Sequence, residues 1–192
     1  VDGTQKMVRN WCWEEDCLER QVQCKETDGT LSSRPQYYVY VLEANLAFAN
    51  GMTIPFMTEF LGYTEGDQQT NKQDCELKAF YLLSALIKKR FPRLPVLVLL
   101  DGLYPNGPLL KLLRQYRWQY MIVLQDGSLP SVWEEIEGLR KLQTSNSLNR
   151  IWGNRKQHFE WVNDIEYRYG EKDRKKQIVH AVICEEIWEE VD

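Results

Sequence analysis

Val96-Leu97-Val98-Leu99-Leu100-Asp101-Gly102-Leu103-Tyr104-Pro105-Asn106-Gly107 is the stretch that decides how this chain is read. Five aliphatic residues followed at once by Asp, Gly, Pro and Asn predict a short strand, buried on both faces and closed by a sharp loop. An Asp at the carboxyl end of such a strand lies where open α/β sheets bind ligands. Gly102 and Gly107 permit the turn, and Pro108 suits the first turn of a following helix. Asp101 is therefore a candidate metal ligand, and the rest of the chain has to supply its partners.

Upstream, Tyr37 to Phe48 reads as a strand. Asn50-Gly51 favours a tight hairpin, because both positions tolerate positive φ, and Met52 to Phe60 is the returning strand. Glu65 to Asn71 is a polar connection, and Asn71 can cap a helix whose first turn carries Asp74 and Glu76. Leu77, Phe80, Tyr81, Leu83, Leu86 and Ile87 give that helix a broad apolar face, and Phe91-Pro92 stops it. Downstream, Pro108 to Tyr116 predicts a helix and Tyr120 to Leu124 a strand, which completes a right-handed parallel crossover. Residues 1–36 show no clear period, and Asp28-Gly29 and Ser32-Ser33-Arg34-Pro35 read as turn or loop.

Beyond Pro130 the character changes. Val132 to Leu142 predicts a charged amphipathic helix. Ile151–Trp161, Ile165–Tyr169 and Ile178–Trp188 read as strands, with a Lys/Arg-rich turn at 171–176. The expected organisation is a core over residues 1–127 and a helix plus β-rich insertion over 128–192. The expected class is α/β: a mixed sheet flanked by helices.

Composition sets limits on function. The chain has 192 residues, 43% hydrophobic and 27% charged, as in an ordinary soluble globular domain. No apolar run approaches the roughly 20 residues of a membrane span. Five cysteines argue against a disulfide framework and for a reducing cytoplasm. A net charge of −4 argues against nonspecific nucleic-acid binding by the whole domain, yet clustered carboxylates are what divalent metals need. With no initiator Met, and with Glu189-Glu190-Val191-Asp192 closing no element, the chain reads as a segment of a longer protein.

In the predicted sheet Val1-Asp2 ends a first strand beside the Asp101 strand, so Asp2 and Asp101 converge. Two such carboxylates repel unless a divalent cation neutralises them, and paired metals can clamp an in-line phosphoryl displacement. The blander alternative is that Asp101 only caps its turn.

Val1-Asp2-Gly3-Thr4-Gln5, Cys12, Cys17-Leu18, Tyr37-Tyr38, Val41-Leu42-Glu43-Ala44, Ile54-Pro55, Glu59-Phe60, Lys72-Gln73-Asp74-Cys75-Glu76 and Leu100-Asp101-Gly102-Leu103-Tyr104 together resemble bacterial insertion-sequence transposases of the DDE type. The resemblance covers residues 1–127 well and the remainder loosely. It implies a ribonuclease H-like core in which Asp2 and Asp101 are the first two catalytic acids. They would hold Mg²⁺ (or Mn²⁺) for phosphodiester hydrolysis and strand transfer at transposon ends. Tyr104 would line the crevice, and Lys72 and Glu76 would at most position it. It also implies double-stranded DNA as partner, a homodimer in a synaptic complex and a nucleoid-associated place in the bacterial cytoplasm.

One departure stands out. The family's third acid, a helical Glu, has no counterpart here, because Glu185, Glu186, Glu189 and Glu190 alternate along a predicted strand. The third acid is expected beyond residue 192, and the segment alone is expected to be inactive. A ribonuclease H-like nuclease, or a non-catalytic remnant that binds DNA or protein, are the alternatives.

Cys12, Cys17 and Cys24 could hold zinc, although their spacing is wide and a fourth ligand is missing. Cys75 and Cys184 are expected in the core, and His158 and His180 in structural roles. Basic residues at 88–93, 111–117 and 168–176 could meet phosphates but suit solvated element ends. Trp133, Trp152, Trp161 and Trp188 could stack on bases, burial being the plainer expectation.

Overall fold

In a computed structural model the described residues are 1–15, 17–27, 29–61, 72–142, 146–170 and 175–188, with side chains of the first helix described from Glu76 onward. Two compact units divide the chain: Val1–Tyr104 with Tyr116–Ile122, and Pro105–Gln115 with Val123–Asp192.

The first unit is built on a long strand. β1 (Asp2–Arg9), β2 (Leu18–Lys25), β3 (Leu31–Ala47) and β4 (Thr53–Phe60) form one antiparallel sheet in which β3 pairs with all three others. The β3–β4 turn is the Asn50-Gly51 hairpin: Gly51 has φ 84°, and Asn50 Oδ1 accepts from Met52 N at 3.0 Å. Residues 32–35 are strand rather than loop, because β2 pairs with them from Gln21↔Pro35 to Cys24↔Ser32. Asp2 opens β1 instead of closing a strand.

The helix α1 (Lys72–Arg90) carries Lys88, Lys89 and Arg90 in its last turn, where positive charge suits the carbonyl end. Its buried stripe is Glu76, Ala79, Phe80, Leu83, Ser84 and Ile87, spaced as one helical face requires. Leu42, at 0% exposure, and Ala44, on the same face of β3 as Tyr40, supply the sheet's side of this core. The expected cap Asn71, the Glu65–Asn71 connection and the side chains of Lys72, Asp74 and Cys75 lie outside the described residues.

β5 (Leu97–Leu100) pairs in parallel with β6 (Gln119–Ile122) through Leu97↔Gln119 to Leu100↔Ile122. The expectation of burial on both faces is corrected. Val98 and Leu100 are 5% exposed, while Leu97 and Leu99 are 57% and 50% exposed. A two-stranded parallel pair has only one face covered here.

α2 (Gly107–Tyr116) and α3 (Pro130–Leu142) follow. Asn106 Oδ1 accepts from Leu109 N at 2.9 Å and so caps α2. Leu109, Leu110 and Leu113 are buried. A third, antiparallel sheet, β7 (Ser147–Trp152), β8 (Arg155–Tyr169) and β9 (Lys175–Trp188), dominates the second unit. The predicted strand Ile151–Trp161 is split by the β7–β8 turn, where Gly153 has φ 60°, and its later part merges with Ile165–Tyr169 into β8. Asn163 and Asp164 form a bulge with Asp164 at φ 61°, so the ladder continues past residues that read as a break.

The expected ribonuclease H-like mixed sheet flanked by helices is not what forms. Among the described residues strand residues outnumber helical residues and lie in three sheets, two of them antiparallel. The physical reason lies in two places. The aperiodic first 36 residues pair as antiparallel strands along β3, and parallel pairing is confined to β5 and β6.

In the second unit Arg140 of α3 donates to Glu160 of β8, and His158 Nε2 lies 3.2 Å from the same carboxylate. Arg140, then His158, holds the Glu160 carboxyl below its ordinary value of 4.5. A depressed carboxyl contributes stability that is present above its unfolded value and lost as pH falls through the folded one. Arg140→Met should therefore be less stable than the parent near pH 7. Urea titrations should show the two converging below about pH 4.

Candidate metal-binding crevice

Asp101 stands at the end of β5. Its Oδ1 accepts from Leu103 N at 3.0 Å and so closes the loop that follows. A carboxylate that accepts one amide keeps lone pairs for a cation. Asp2 opens β1 opposite Glu43. The Val1 nitrogen donates to Leu99 O at 3.1 Å, which sets the start of β1 alongside β5. Both carboxylates are exposed.

Tyr104 joins them. It is 1% exposed, with its ring 5.4 Å from that of Phe80. Burial, then the negative charges of Glu76, Asp101 and Asp2, push its hydroxyl well above the ordinary value of 10. Asp2 and Asp101 thus act on one hydroxyl from opposite ends of the unit's sequence. They also act together on the Val1 ammonium: burial lowers its pKa, and both carboxylates oppose that shift.

Glu76 is the buried carboxylate of the crevice, at 4% exposure, and accepts from the Tyr40 hydroxyl at 3.1 Å. A charge on the buried stripe of a helix needs such a donor. Gly3 makes the approach possible. A Cβ there would stand 2.7 Å from the Tyr40 oxygen and 2.8 Å from Glu76 Oε1. Sequence reading missed Tyr40 and the packing role of Gly3. The available signal was a Glu in register with the apolar stripe of α1, which calls for a polar partner on the facing strand.

The remaining candidates are dispersed. The Cys12 thiol is raised by burial and by its hydrogen bond with Cys17. Cys24 lies six positions beyond Leu18 on β2, roughly 20 Å along a strand. The Cys12/Cys17/Cys24 zinc set is not assembled, and the described residues contain no group of three or more His, Cys, Asp or Glu suited to a metal.

Cys184 is exposed, contrary to expectation, while the Cys75 side chain lies outside the described residues. His158 bonds Asn149 and Glu160, and His180 Nδ1 accepts from Asp164 N at 3.3 Å. Trp152 and Trp188 are exposed rather than buried, with the Arg155 guanidinium 5.3 Å and 3.6 Å from their rings. Glu185 and Glu186 lie on β9, on a strand as the sequence predicts, while Glu189 and Glu190 fall outside the described residues.

Two carboxylate oxygens with open solvent beside them match the donor set of Mg²⁺, which takes one or two protein carboxylates and fills its octahedron with water and phosphate oxygens. Asp2 and Asp101 are exposed carboxylates of that donor type.

The raised Tyr104 value carries a pH consequence. A hydroxyl kept protonated by the fold contributes stability that is full below its unfolded value near 10 and lost as pH rises toward the folded value. Alkaline unfolding should begin just above pH 10, and Tyr104→Phe should flatten that limb. Circular dichroism against pH measures it.

No helix among the described residues is long and apolar enough to cross a membrane. No protein-family model, curated protein or solved structure matches the chain.

Proposed function

We propose that Asp2 and Asp101 are the metal-holding carboxylates of a DNA-transposing enzyme of the DDE type, acting on phosphodiester bonds of double-stranded DNA. The observation that supports this most is the 3.1 Å bond from the Val1 nitrogen to Leu99 O, which sets Asp2 at the start of β1 beside the end of β5 that carries Asp101. The sequence motifs around Asp2, Glu76 and Asp101 support it independently of that geometry.

In this reading Asp2 and Asp101 would hold Mg²⁺, which would supply Lewis acidity for activating water or a 3′-hydroxyl toward phosphorus. Tyr104 and Phe80 brace the loop that carries Asp101. The Tyr40–Glu76 bond ties α1 to β3, beside Gly3 of β1. Tyr104, Tyr40 and Glu76 are positioning residues, since none of them is exposed to substrate.

Paramagnetic Mn²⁺ tests the assignment. Substoichiometric Mn²⁺ added to the isotopically labelled chain should broaden the amides of residues 2–4 and 101–104 first. Broadening centred instead on the acidic helix around Glu134, Glu135 and Glu137 would remove the basis for the proposal. No localised broadening at millimolar Mn²⁺ would favour a non-catalytic DNA- or protein-binding role.

A further inference from the structure

The link from β1 to β2 carries the chain from one edge of β3 to the other. Arg9 pairs with Tyr37 from the β1 side, and Leu18 pairs with Tyr38 from the β2 side. The ends of the link are therefore two strand spacings apart, roughly 10 Å. The chain from Arg9 to Leu18 is long enough to span about three times that distance, so it has slack to fold back.

One carbonyl gathers the slack. Glu14 O accepts from Cys12 Sγ at 3.1 Å and from Cys17 N at 3.2 Å. The two cysteines are also hydrogen-bonded to each other through their side chains. A thiol has one proton, so the Cys12 sulfur accepts from Cys17 while it donates to Glu14. Two thiols in contact across one turn can reach the roughly 3.5–4.5 Å between Cβ atoms that a disulfide needs by side-chain rotation. Cys24 is turned elsewhere, its Sγ donating to Val22 O at 3.9 Å on its own strand.

Exposure and ring size say what kind of bond this is. Cys12 is exposed and Cys17 half-buried, so an oxidant in solution meets Cys12 first. The ring would close over four intervening residues, and short rings gain least from closure. Such a bond is one that thiols reverse.

We propose that Cys12 and Cys17 are a modification site, a dithiol that a disulfide oxidant of the glutathione class closes reversibly into an intrachain disulfide. The Cys12 thiolate, its proton released to solvent, attacks one sulfur of the oxidant and expels a thiolate that takes up a proton. Cys17 then loses its proton and attacks the Cys12 sulfur of the mixed disulfide. The Cys12–Cys17 bond forms and the second glutathione thiolate leaves and is protonated. Two protein thiols are oxidised, and one glutathione disulfide is reduced to two thiols. Closure removes the Cys12 S–H, and with it the bond to Glu14 O, and pins the link between the two edges of β3. The inference does not depend on metal binding at Asp2 and Asp101.

Redox titration of the 192-residue chain in mixtures of reduced and oxidised glutathione tests it, with acid quench, alkylation and mass spectrometry. Tryptic cleavage after Arg9 and Arg20 leaves both cysteines on one peptide, which becomes two hydrogens lighter when the bond forms. Cysteines this close in sequence also meet in an unfolded chain, so the same titration is run in concentrated urea. The equilibrium constant for closure should be at least about tenfold larger in the folded chain, or about 30 mV in potential. Excess reduced glutathione should reopen the bond, and Cys17→Ser should hold Cys12 as a glutathione mixed disulfide. The inference fails if folding gains less than that, if the bond does not reopen, or if Cys12 of the parent accumulates as the mixed disulfide. Pairing of Cys12 with Cys24, Cys75 or Cys184 in place of Cys17 overturns it as well.

Discussion

Asp101→Asn should weaken Mn²⁺ binding by at least about 100-fold, since loss of an outer-shell partner alone typically costs 10–100-fold and on the proposed assignment a direct ligand is neutralised. Folding stability should barely move. The Asn side chain keeps an Oδ1 that can accept from Leu103 N, so the loop closure survives while the negative charge goes. Asp101→Ala removes both, and should cost a further ~1 kcal/mol in urea unfolding, the ordinary net worth of one such bond. The pair of variants separates the two roles of this side chain. If Asp101→Asn binds Mn²⁺ as the parent does, in calorimetry or by electron paramagnetic resonance, Asp101 is a turn cap and nothing more. Asp2→Asn should repeat the metal result, because Asp2 has no corresponding turn to hold.

Gly107→Ala should destabilise the chain by about 1–3 kcal/mol despite a local preference of roughly 1 kcal/mol for Ala inside a helix. Gly107 opens α2, and a Cβ there would fall within 2.6 Å of Tyr169 Cδ1, against the ring rather than a flexible tip. The ring has little room to retreat. Tyr169 stacks on Tyr167 at 5.8 Å, and Gln177 Nε2 reaches both the Tyr169 hydroxyl and Gly107 O at 3.4 Å. Urea denaturation measures the loss. Introducing Tyr169→Ala beside Gly107→Ala should recover most of the steric part, giving a coupling well outside additivity. A Gly107→Ala variant more stable than the parent would mean that α2 does not start against this ring.

The legibility of the chain followed the range of the interactions involved. Asn50-Gly51 marked its hairpin because positive φ is a local demand that Asn and Gly meet at little cost. The helix ending at Arg90 announced itself through its apolar stripe and basic last turn, both contained within a few turns of sequence. Asp101 was visible for the same reason: an aliphatic run ending in Asp-Gly is a local signature, and its Oδ1 does close the loop. Residues 18–25 and 31–36 were not legible as strands. Their polar and aromatic mixture has no period of two, and they are strands because each pairs with the other along β3. β8 was read as two pieces because Asn163-Asp164 looks like a stop, whereas pairing with β9 on both sides carries the ladder across a bulge.

Taken alone, the sequence determined the local devices: the Asn50-Gly51 turn, the stripe of α1 and the carboxylate after β5. Tertiary structure alone decided that the sheets are mostly antiparallel and that one face of β5 stays open. It also decided that Tyr40 and Glu76 bond beside Gly3 and that Tyr104 is buried against Phe80. Turns and caps are settled by the conformational energies of a few adjacent residues. Strand partners and buried charge pairs are settled only when distant segments compete for the same edge or the same donor, and no short window of sequence carries that competition.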